Sequence, residues 1–284
     1  MQDKTVNIFL VTDQQNLKSL HVTLVMLLAH SKKDLPYRIF ILYNEIANSD
    51  KADIEHLLNN TPHFKASFHH IHESDFITDL PSGTPHTSKV GRFKFLIGNF
   101  NLDKALYIDT DILIRADIAQ LYATDLGNYT LAAVPDVNNK LFNKNLKLPK
   151  NYNYFNSGVL LMDCVKWKKQ NITQRLMEVS VTREQDLIYV DQDAFNVVFA
   201  EIGYQKLPLF WNFPSAIQYF SYTIFTYIRR YRKAFSWWDV IKAFQKPLLV
   251  HFIGKPKPND GNMETAYAEE YMRYFNLSTT YFEG

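Results

Sequence analysis

Two aspartates separated by a single residue stand directly after an apolar stretch in the middle of the chain. Asp109 and Asp111 follow Lys104–Ile108, whose composition predicts a buried strand. Burying two carboxylates beside a strand is costly unless a cation neutralises them, and Mg²⁺ and Mn²⁺ favour carboxylate oxygens. A metal held there would neutralise the charge that develops on a leaving diphosphate. The competing interpretation is a pair of surface aspartates in a turn, which the apolar residues on both sides disfavour.

A second polar cluster follows a short apolar run near the end of the chain. Residues 248–252 predict a strand that contains His251, and a Gly-Lys-Pro-Lys-Pro loop follows at 254–258. Neutral imidazole binds transition ions such as Mn²⁺, which makes His251 a candidate third ligand. The loop lysines supply positive charge that can meet phosphate. The competing interpretations, a hydrogen-bonded core histidine and a solvated loop, stay open.

The elements that must position these residues alternate between strands and helices. Apolar runs predict strands over 6–12, 37–43, 66–71, 104–108, 129–134 and 154–162. Helical spacing predicts helices over 17–30, 50–59 (capped by Ser49), 89–100, 191–200 and 264–275. This order predicts an α/β fold, with a mostly parallel sheet covered by helices on both faces. Ligands bind beyond the carboxyl ends of the strands in such sheets, so the loops after Thr12, Ile108 and Val134 are the candidate binding loops.

Composition excludes several classes of protein. Hydrophobic residues make up 46% of the chain and charged residues 21%, which argues against global disorder. The net charge of +2 argues against nucleic acid as a partner of the whole chain. The single cysteine, Cys164, cannot form an internal disulfide, and no segment resembles a secretory signal, so we expect a cytoplasmic protein. No stretch approaches the roughly 20 apolar residues that span a bilayer.

Residues 215–246 interleave basic and aromatic side chains. They include Arg229 and Arg232, followed by the pair Trp237 and Trp238. This composition is typical of an interfacial helix, and it predicts peripheral association with the anionic inner face of the cell membrane. A solvated basic face above a buried aromatic stripe is the open alternative. Nucleic-acid binding is a weaker one, because no recognised nucleic-acid module accompanies the segment.

Five sequence blocks, in order along the chain, resemble glycosyltransferase family 8, the family of glycogenin and of bacterial lipooligosaccharide galactosyltransferases. The blocks lie at 6–13, 105–113, 154–162, 189–193 and 251–258. The resemblance implies a GT-A, Rossmann-like catalytic domain over 1–258, with 259–284 as a C-terminal helical extension. It also implies Mn²⁺ as cofactor, a UDP-hexose donor (galactose or glucose) and retention of anomeric configuration. The implied acceptor is a glycan or a lipid-linked or protein-linked glycoconjugate.

The resemblance also assigns roles by position. It implies Asp109, Asp111 and His251 as the metal ligands, and Asp191 and Gln192 as the catalytic pair beneath the anomeric carbon. The other donor contacts that it implies are Val11, Thr12 and Asp13 at uracil, Thr110 between the two aspartates, Arg92 in the donor site, Asp136 and Asn156 at the sugar, and Gly254 and Lys257 at the diphosphate. A structural alternative accompanies several of these residues: helix caps for Asp13 and Asp191, a turn for Asn156, packing for Gly158 and an exposed helical charge for Arg92.

Two positions depart from the family pattern. Many relatives carry a tyrosine that stacks on uracil near the position of Asn16, and Asn259 stands where relatives often carry tryptophan. The departure at Asn16 affects how uracil would be held on the donor side. The departure at Asn259 affects the acceptor side. A covalent route through Asp191 or Asp193 stays open beside a front-face route.

Three other functions compete with sugar transfer. A sugar nucleotidyltransferase typically needs a glycine-rich phosphate loop near the start of the chain, and none follows Thr12. A non-catalytic membrane-associated scaffold would use only the basic and aromatic segment. A glycoside hydrolase needs carboxylates on both sides of the glycosidic bond, so an adjacent pair fits it poorly.

Overall fold

The computed structural model describes residues 4–72, 89–136, 145–215, 228–229, 231–254, 257–261, 263–264 and 266–282. The strands are β1 (Val6–Thr12), β2 (Tyr37–Tyr43), β3 (Phe64–His70), β4 (Lys104–Ile108), β5 (Ile112–Ile114), β6 (Leu131–Pro135), β7 (Phe155–Asp163), β8 (Gln205–Lys206), β9 (Phe213–Pro214) and β10 (Leu249–His251). The α-helices are α1 (Leu17–His30), α2 (Asn48–Asn59), α3 (Ala119–Tyr122), α4 (Cys164–Lys169), α5 (Ile172–Thr182), α6 (Val190–Ile202), α7 (Trp237–Gln245) and α8 (Ala268–Phe282). A 3-10 helix occupies Lys89–Asn99.

Seven strands form one sheet in the order β3-β2-β1-β4-β7-β6-β8. All neighbouring pairs are parallel except those of β7, which runs antiparallel to both β4 and β6. The mostly parallel α/β sheet predicted from the sequence is therefore confirmed. Because β7 is reversed, its first residues lie at the edge where β4 ends, and Asp109 N–H donates to the Gly158 carbonyl at 2.8 Å.

A small second sheet, in the order β5-β10-β9, continues from this edge. Its central strand β10 pairs antiparallel with β5, which places His251 opposite Ile112. The N–H of Phe252 donates to the Asp111 carbonyl at 3.1 Å. The two candidate metal-binding segments, far apart in sequence, are thus joined by backbone hydrogen bonds.

Alternating side chains of β1 divide the interior into two apolar cores. Ile8 and Leu10 pack into a core shared with α1, and with Tyr271 of α8. Phe9 and Val11 pack into the other, which includes apolar residues of the 3-10 helix Lys89–Asn99 and of α5 and α6. Each residue of β1 is buried, as expected for a strand covered by helices on both faces. No helix in the described ranges is long and apolar enough to cross a bilayer.

Most predicted element boundaries differ from the structure by only a few residues, and two differences have a clear local cause. Ser49 does not cap α2, because the helix already begins at Asn48 and Ala47 occupies the N-cap position. The last helix begins at Ala268 and not at residue 264. Tyr267 before it has a φ of 68°, a left-handed conformation that a helix does not accommodate.

Candidate functional site

Asp109, Asp111 and His251 converge at the edge where β4 ends and β10 meets β5. One ligand atom from each residue lies within 4.8 Å of the others. The Nε2 atom of His251 is 3.2 Å from Oδ1 of Asp111 and 3.8 Å from Oδ2 of Asp109. Two carboxylate oxygens and an imidazole nitrogen form a donor set that suits a divalent cation such as Mn²⁺. The three residues could therefore hold one metal ion.

Gly158 on β7 leaves the space in which these ligands meet. A Cβ atom at this position would lie 2.4 Å from Cε1 of His251 and 2.8 Å from Oδ2 of Asp109. Any side chain at residue 158 would therefore push the ligands apart. The packing interpretation of Gly158 is confirmed, and what it packs against is the candidate metal site.

The carboxylate of Asp111 is shared between the histidine and a loop lysine. Its Oδ2 accepts a hydrogen bond from Nζ of Lys257. Burial raises the pKa of this carboxyl, but His251 and Lys257 outweigh burial and hold the pKa well below its usual range. Asp111 is consequently an anion, the form that a metal ligand requires.

Lys94 is a site residue that the sequence did not reveal. Its side chain is 4% exposed, and its Nζ lies 2.7 Å from Oδ2 of Asp191 and 3.7 Å from Oδ1 of Asp109. The same ammonium lies 4.8 Å from the centroid of the Tyr107 ring. Burial lowers the pKa of Lys94, but Asp109 and Asp191 outweigh burial and raise it. The one available signal, a lysine in an otherwise apolar turn of the 3-10 helix, does not distinguish it from a surface charge.

The first turn of α6 carries Asp191 and Gln192 towards β7. Oδ2 of Asp191 accepts from Ser157 Oγ at 3.2 Å in addition to its ion pair with Lys94. The side-chain oxygen of Gln192 accepts from Asn156 Nδ2 at 3.0 Å and from the Ser157 N–H at 3.1 Å. Both side chains are held in place from the β7 side. The turn interpretation of Asn156 is wrong, because this residue lies within β7.

Asp193, and not Asp191, binds backbone N–H groups of the two residues directly before α6. Its Oδ2 accepts from the N–H groups of Ile188 at 2.7 Å and Tyr189 at 2.8 Å. Its Oδ1 accepts from the hydroxyl of Tyr154 at 2.5 Å. The helix-cap interpretation of Asp191 is therefore wrong. Both carboxylate oxygens of Asp193 accept structural hydrogen bonds.

Asn212 is a second residue that the sequence did not single out. It is 2% exposed and lies between His251 and Asn156. Its Oδ1 is 3.0 Å from Nδ1 of His251, and its Nδ2 donates to Asn156 Oδ1 at 2.8 Å. In the sequence this residue belongs only to a stretch where the apolar pattern changes.

Residues 7–260 match the sequence profile of glycosyl transferase family 8, which is most of the chain. The chain belongs to this family.

Individual relatives agree with this membership. General stress protein A of Bacillus subtilis (strain 168) is 26% identical over 98% of this chain and 95% of its own length. Lipopolysaccharide 1,2-glucosyltransferase of Escherichia coli (strain K12) is 29% identical over 58% of this chain and 47% of its own length. The structure of galactosyltransferase LgtC with donor and acceptor sugar analogues superposes with a TM-score of 0.79 over 96% of both chains, at 20% identity. The fold of this glycosyltransferase is therefore GT-A, as the resemblance implied.

The residues predicted to contact uracil lie at and just beyond the end of β1. Val11 and Thr12 are buried at the end of this strand, and Asp13 follows them. Oδ1 of Asp13 accepts from the backbone N–H of Asn16 at 2.9 Å and from its Nδ2 at 2.7 Å. Asp13 therefore caps a short 3-10 turn over Gln14–Asn16 directly before α1. Asn16 is the residue that orients the Asp13 carboxylate.

The other residues predicted to contact the donor lie around the edge of the sheet where β4 ends. Arg92 is 2% exposed, so its interpretation as an exposed helical charge is wrong. Burial lowers the pKa of its guanidinium, with Asp191 and Glu184 opposing that shift. Asp136 follows β6, and its N–H donates to the Tyr154 carbonyl at 2.7 Å. The Thr110 carbonyl accepts from Thr23 Oγ1 at 3.1 Å. Gly254, in the loop after β10, has a φ of 85°, a conformation that favours glycine.

Proposed function

We propose that this family 8 glycosyltransferase transfers a hexose, galactose or glucose, from a UDP-hexose to an acceptor hydroxyl with retention of anomeric configuration. The acceptor is a glycan or a lipid-linked or protein-linked glycoconjugate. The observation that carries the proposal is the convergence of Asp109, Asp111 and His251, with Lys257 at the edge of the cluster. The names of two similar proteins, a galactosyltransferase and a glucosyltransferase, support a hexose donor.

The candidate metal site fits Mn²⁺ by its donor set and by the space that Gly158 leaves. Asp109, Asp111 and His251 would hold the ion. When bound, the ion would supply a Lewis acid that neutralises charge on the leaving diphosphate. Lys257 already lies against Asp111, so its ammonium adds a positive charge on the side where the diphosphate binds.

The reaction exchanges one C–O bond for another on the same face of the sugar. The bond between the anomeric carbon and the diphosphate oxygen breaks, and the acceptor oxygen bonds to the anomeric carbon. The proton of the acceptor hydroxyl passes to the departing diphosphate, so that UDP and the glycosylated acceptor are the only products. Asp191 and Gln192 stabilise the positive charge that develops on the sugar from the opposite face.

The contacts of the catalytic pair favour this front-face route over a covalent one. A cation that stabilises a carboxylate lowers its nucleophilicity, and Oδ2 of Asp191 is in an ion pair with the buried Lys94. The side-chain oxygen of Gln192 already accepts two hydrogen bonds. Both oxygens of Asp193 accept hydrogen bonds, one from Tyr154 and the other from the backbone N–H groups directly before α6. These side chains are arranged to stabilise charge and not to attack.

At the other end of the donor, Asp13 accepts a hydrogen bond from the uracil edge, while Val11 and Thr12 line the pocket. Arg92, Asp136 and Asn156 bind the sugar and its hydroxyls, and Gly254 allows the loop backbone to approach the diphosphate. Asp13 suits its task because Asn16 occupies only its Oδ1 in the capping contacts described above.

A basic and aromatic surface on and before α7 supports peripheral association with an anionic membrane. We define this α7 surface by Arg229, Arg232, Lys233, Trp237, Trp238, Lys242 and Lys246, all of them exposed. Trp238 is 70% exposed and Trp237 46%, and the guanidinium of Arg232 lies 5.2 Å from the Trp237 ring centroid. Exposed indoles beside cations suit the interface of an anionic bilayer, where a lipid-linked acceptor would be found.

UDP release from a panel of UDP-sugars, with and without Mn²⁺, tests the donor half of this proposal. We expect turnover of one UDP-hexose with Mn²⁺, and its loss in Asp111→Ala. Asp125→Ala, an exposed aspartate in a turn whose carboxylate accepts from the Gly127 N–H, is the matched control and should retain activity. Absence of both UDP binding and UDP release with every metal would contradict transferase activity and favour the scaffold. Formation of UTP and sugar 1-phosphate when pyrophosphate is added to a UDP-sugar, in place of UDP release, would favour a nucleotidyltransferase.

A further inference from the structure

Two buried side-chain amides connect the candidate metal ligand His251 to the amide of the catalytic candidate Gln192. Asn212 lies 3.0 Å from the histidine ring and donates to Asn156 at 2.8 Å. Asn156 in turn donates to Gln192 at 3.0 Å. Asn212 is 2% exposed, and Asn156 and Gln192 are each 9% exposed. The chain of amides therefore runs through the interior, where each hydrogen bond is strengthened by the low local dielectric.

Two backbone N–H groups fix the orientation of these amides. The Gly158 N–H donates at 2.9 Å to Asn156, so the atom of Asn156 at that point must be its oxygen. The Ser157 N–H donates at 3.1 Å to Gln192, so the atom facing it is likewise the oxygen. Asn156 must then direct its NH₂ group to Gln192, which agrees with the observed contact.

The orientation of Asn156 also determines how Asn212 meets the histidine. Because the oxygen of Asn156 can only accept, Asn212 must present its NH₂ group to Asn156. The oxygen of Asn212 is then left for Nδ1 of His251, and a carbonyl oxygen accepts only from a protonated ring nitrogen. The proton on Nδ1 leaves Nε2, the atom that faces Asp109 and Asp111, as the metal-binding nitrogen.

We propose that Asn212 is a positioning residue that sets the tautomer of His251 and couples it, through Asn156, to the orientation of Gln192. The inference rests on the proposed function, because it assigns His251 to the metal and Gln192 to the sugar. The metal half and the sugar half of the donor site would thus be held in one arrangement by a residue that touches neither ligand. Outer hydrogen-bond partners of metal-ligating histidines typically contribute in this way.

Two substitutions separate the two contacts of Asn212. Asn212→Ala removes both, and we expect Mn²⁺ binding in the presence of saturating UDP to weaken about 10- to 100-fold. Asn212→Asp keeps an acceptor for Nδ1–H of His251 but cannot donate to Asn156. We expect it to retain Mn²⁺ affinity within about threefold, while kcat falls about 10-fold because Gln192 loses its orientation.

Calorimetric titration of Mn²⁺ into each UDP-saturated variant, followed by single-substrate kinetics, provides the test. Asn7→Ala removes a comparably buried asparagine, bonded to Tyr122 and Lys104, and should leave Mn²⁺ affinity unchanged. Unchanged Mn²⁺ affinity in Asn212→Ala would overturn the proposal whether or not the wild type transfers sugar. Unchanged kcat in Asn212→Asp would overturn the coupling to Gln192. If Asn212→Ala does not fold, the near-isosteric Asn212→Asp carries the test alone.

Discussion

The edge of the sheet where we propose that the donor binds, called here the donor edge and defined by Lys94, Asp109, Asp111, Asp191 and His251, concentrates charge in buried surroundings. The α7 surface also concentrates charge, but in exposed surroundings. At the donor edge, Lys94 and His251 have side chains 4% and 5% exposed, and each contacts at least one aspartate. On the α7 surface, Arg232 stacks on Trp237, and Trp238 is largely exposed. The donor edge therefore holds its charges in one buried arrangement, whereas the α7 surface exposes its charges to solvent.

This difference determines what a substitution should do. In a buried network, removal of one partner leaves the other charge desolvated and unpaired, which is strongly destabilising. On a surface, water and salt screen the same charge, and single pairs contribute about 0–1 kcal/mol. We therefore expect large, salt-insensitive effects at the donor edge and small, salt-sensitive effects on the α7 surface.

Gly158→Ala should give the largest effect. The new Cβ would lie 2.4 Å from His251 Cε1 and 2.8 Å from Asp109 Oδ2, so the two ligands must separate. Displacement of reacting groups by about 1 Å costs on the order of 100-fold in rate, and Mn²⁺ affinity should fall with it. Calorimetry with Mn²⁺ and assays of UDP release measure both quantities.

Gly98→Ala is the control for that substitution. Its Cβ would lie 2.1 Å from the ring of Trp167, in the apolar core and away from the metal ligands. It should lower the melting temperature without a selective loss of Mn²⁺ binding. Equal Mn²⁺ affinity in Gly158→Ala and the wild type would show that the ligands do not need the space at residue 158.

Lys94→Met should give the next largest effect and a distinctive combination of changes. Without the ammonium, Asp109 and Asp191 lose their shared cation, and we expect a loss of about 3–5 kcal/mol in the free energy of unfolding without metal. Mn²⁺ binding should not weaken, because a cation that repels the metal is gone. Activity should still fall, because Asp191 is no longer held. Thermal unfolding with and without Mn²⁺, together with kcat, measures these changes.

The matched control is Lys166→Met, which removes a partly exposed lysine from its pair with Asp163 at 2.5 Å. This substitution should cost no more than about 1 kcal/mol. A similar loss of stability in the two variants, or a loss of Mn²⁺ affinity in Lys94→Met, would contradict the contrast between buried and surface charge.

The same contrast explains which parts of the site could be predicted from the sequence. The strands β1, β2 and β4 and the helix α1 have the predicted bounds, because continuous apolar runs and helical spacing are local signals. The aspartates at the end of β4 could be predicted for the same reason, because they directly follow a continuous apolar run. The strand before the lysine loop made His251 a candidate third ligand, and the resemblance to the family implied the same role.

Residues that act through distant contacts were missed. Lys94 appeared to be an ordinary helical lysine, and Asn212 carried no signal, because their importance arises from the reversed strand β7 and from the pairing of β10 with β9. Asp191 and Asp193 could not be distinguished by spacing alone. Only the structure shows that Asp193 binds the backbone N–H groups directly before α6 while Asp191 faces Lys94.

The smallest effect is expected on the α7 surface, and there the ionic strength decides the result. Trp238→Ala and Lys242→Ala should leave UDP release in solution within about twofold of the wild type, because neither residue contacts the donor edge. Each basic residue near an anionic bilayer contributes about 1 kcal/mol, so Lys242→Ala should weaken binding to phosphatidylserine vesicles about fivefold at low salt. The difference should vanish at about 1 M salt, where the Debye length is about 3 Å.

Lys169→Ala, an exposed lysine outside this surface, is the control in vesicle co-sedimentation. If the wild type does not bind anionic vesicles at low salt, the exposed tryptophans serve another partner, and the acceptor is not presented by a membrane through α7.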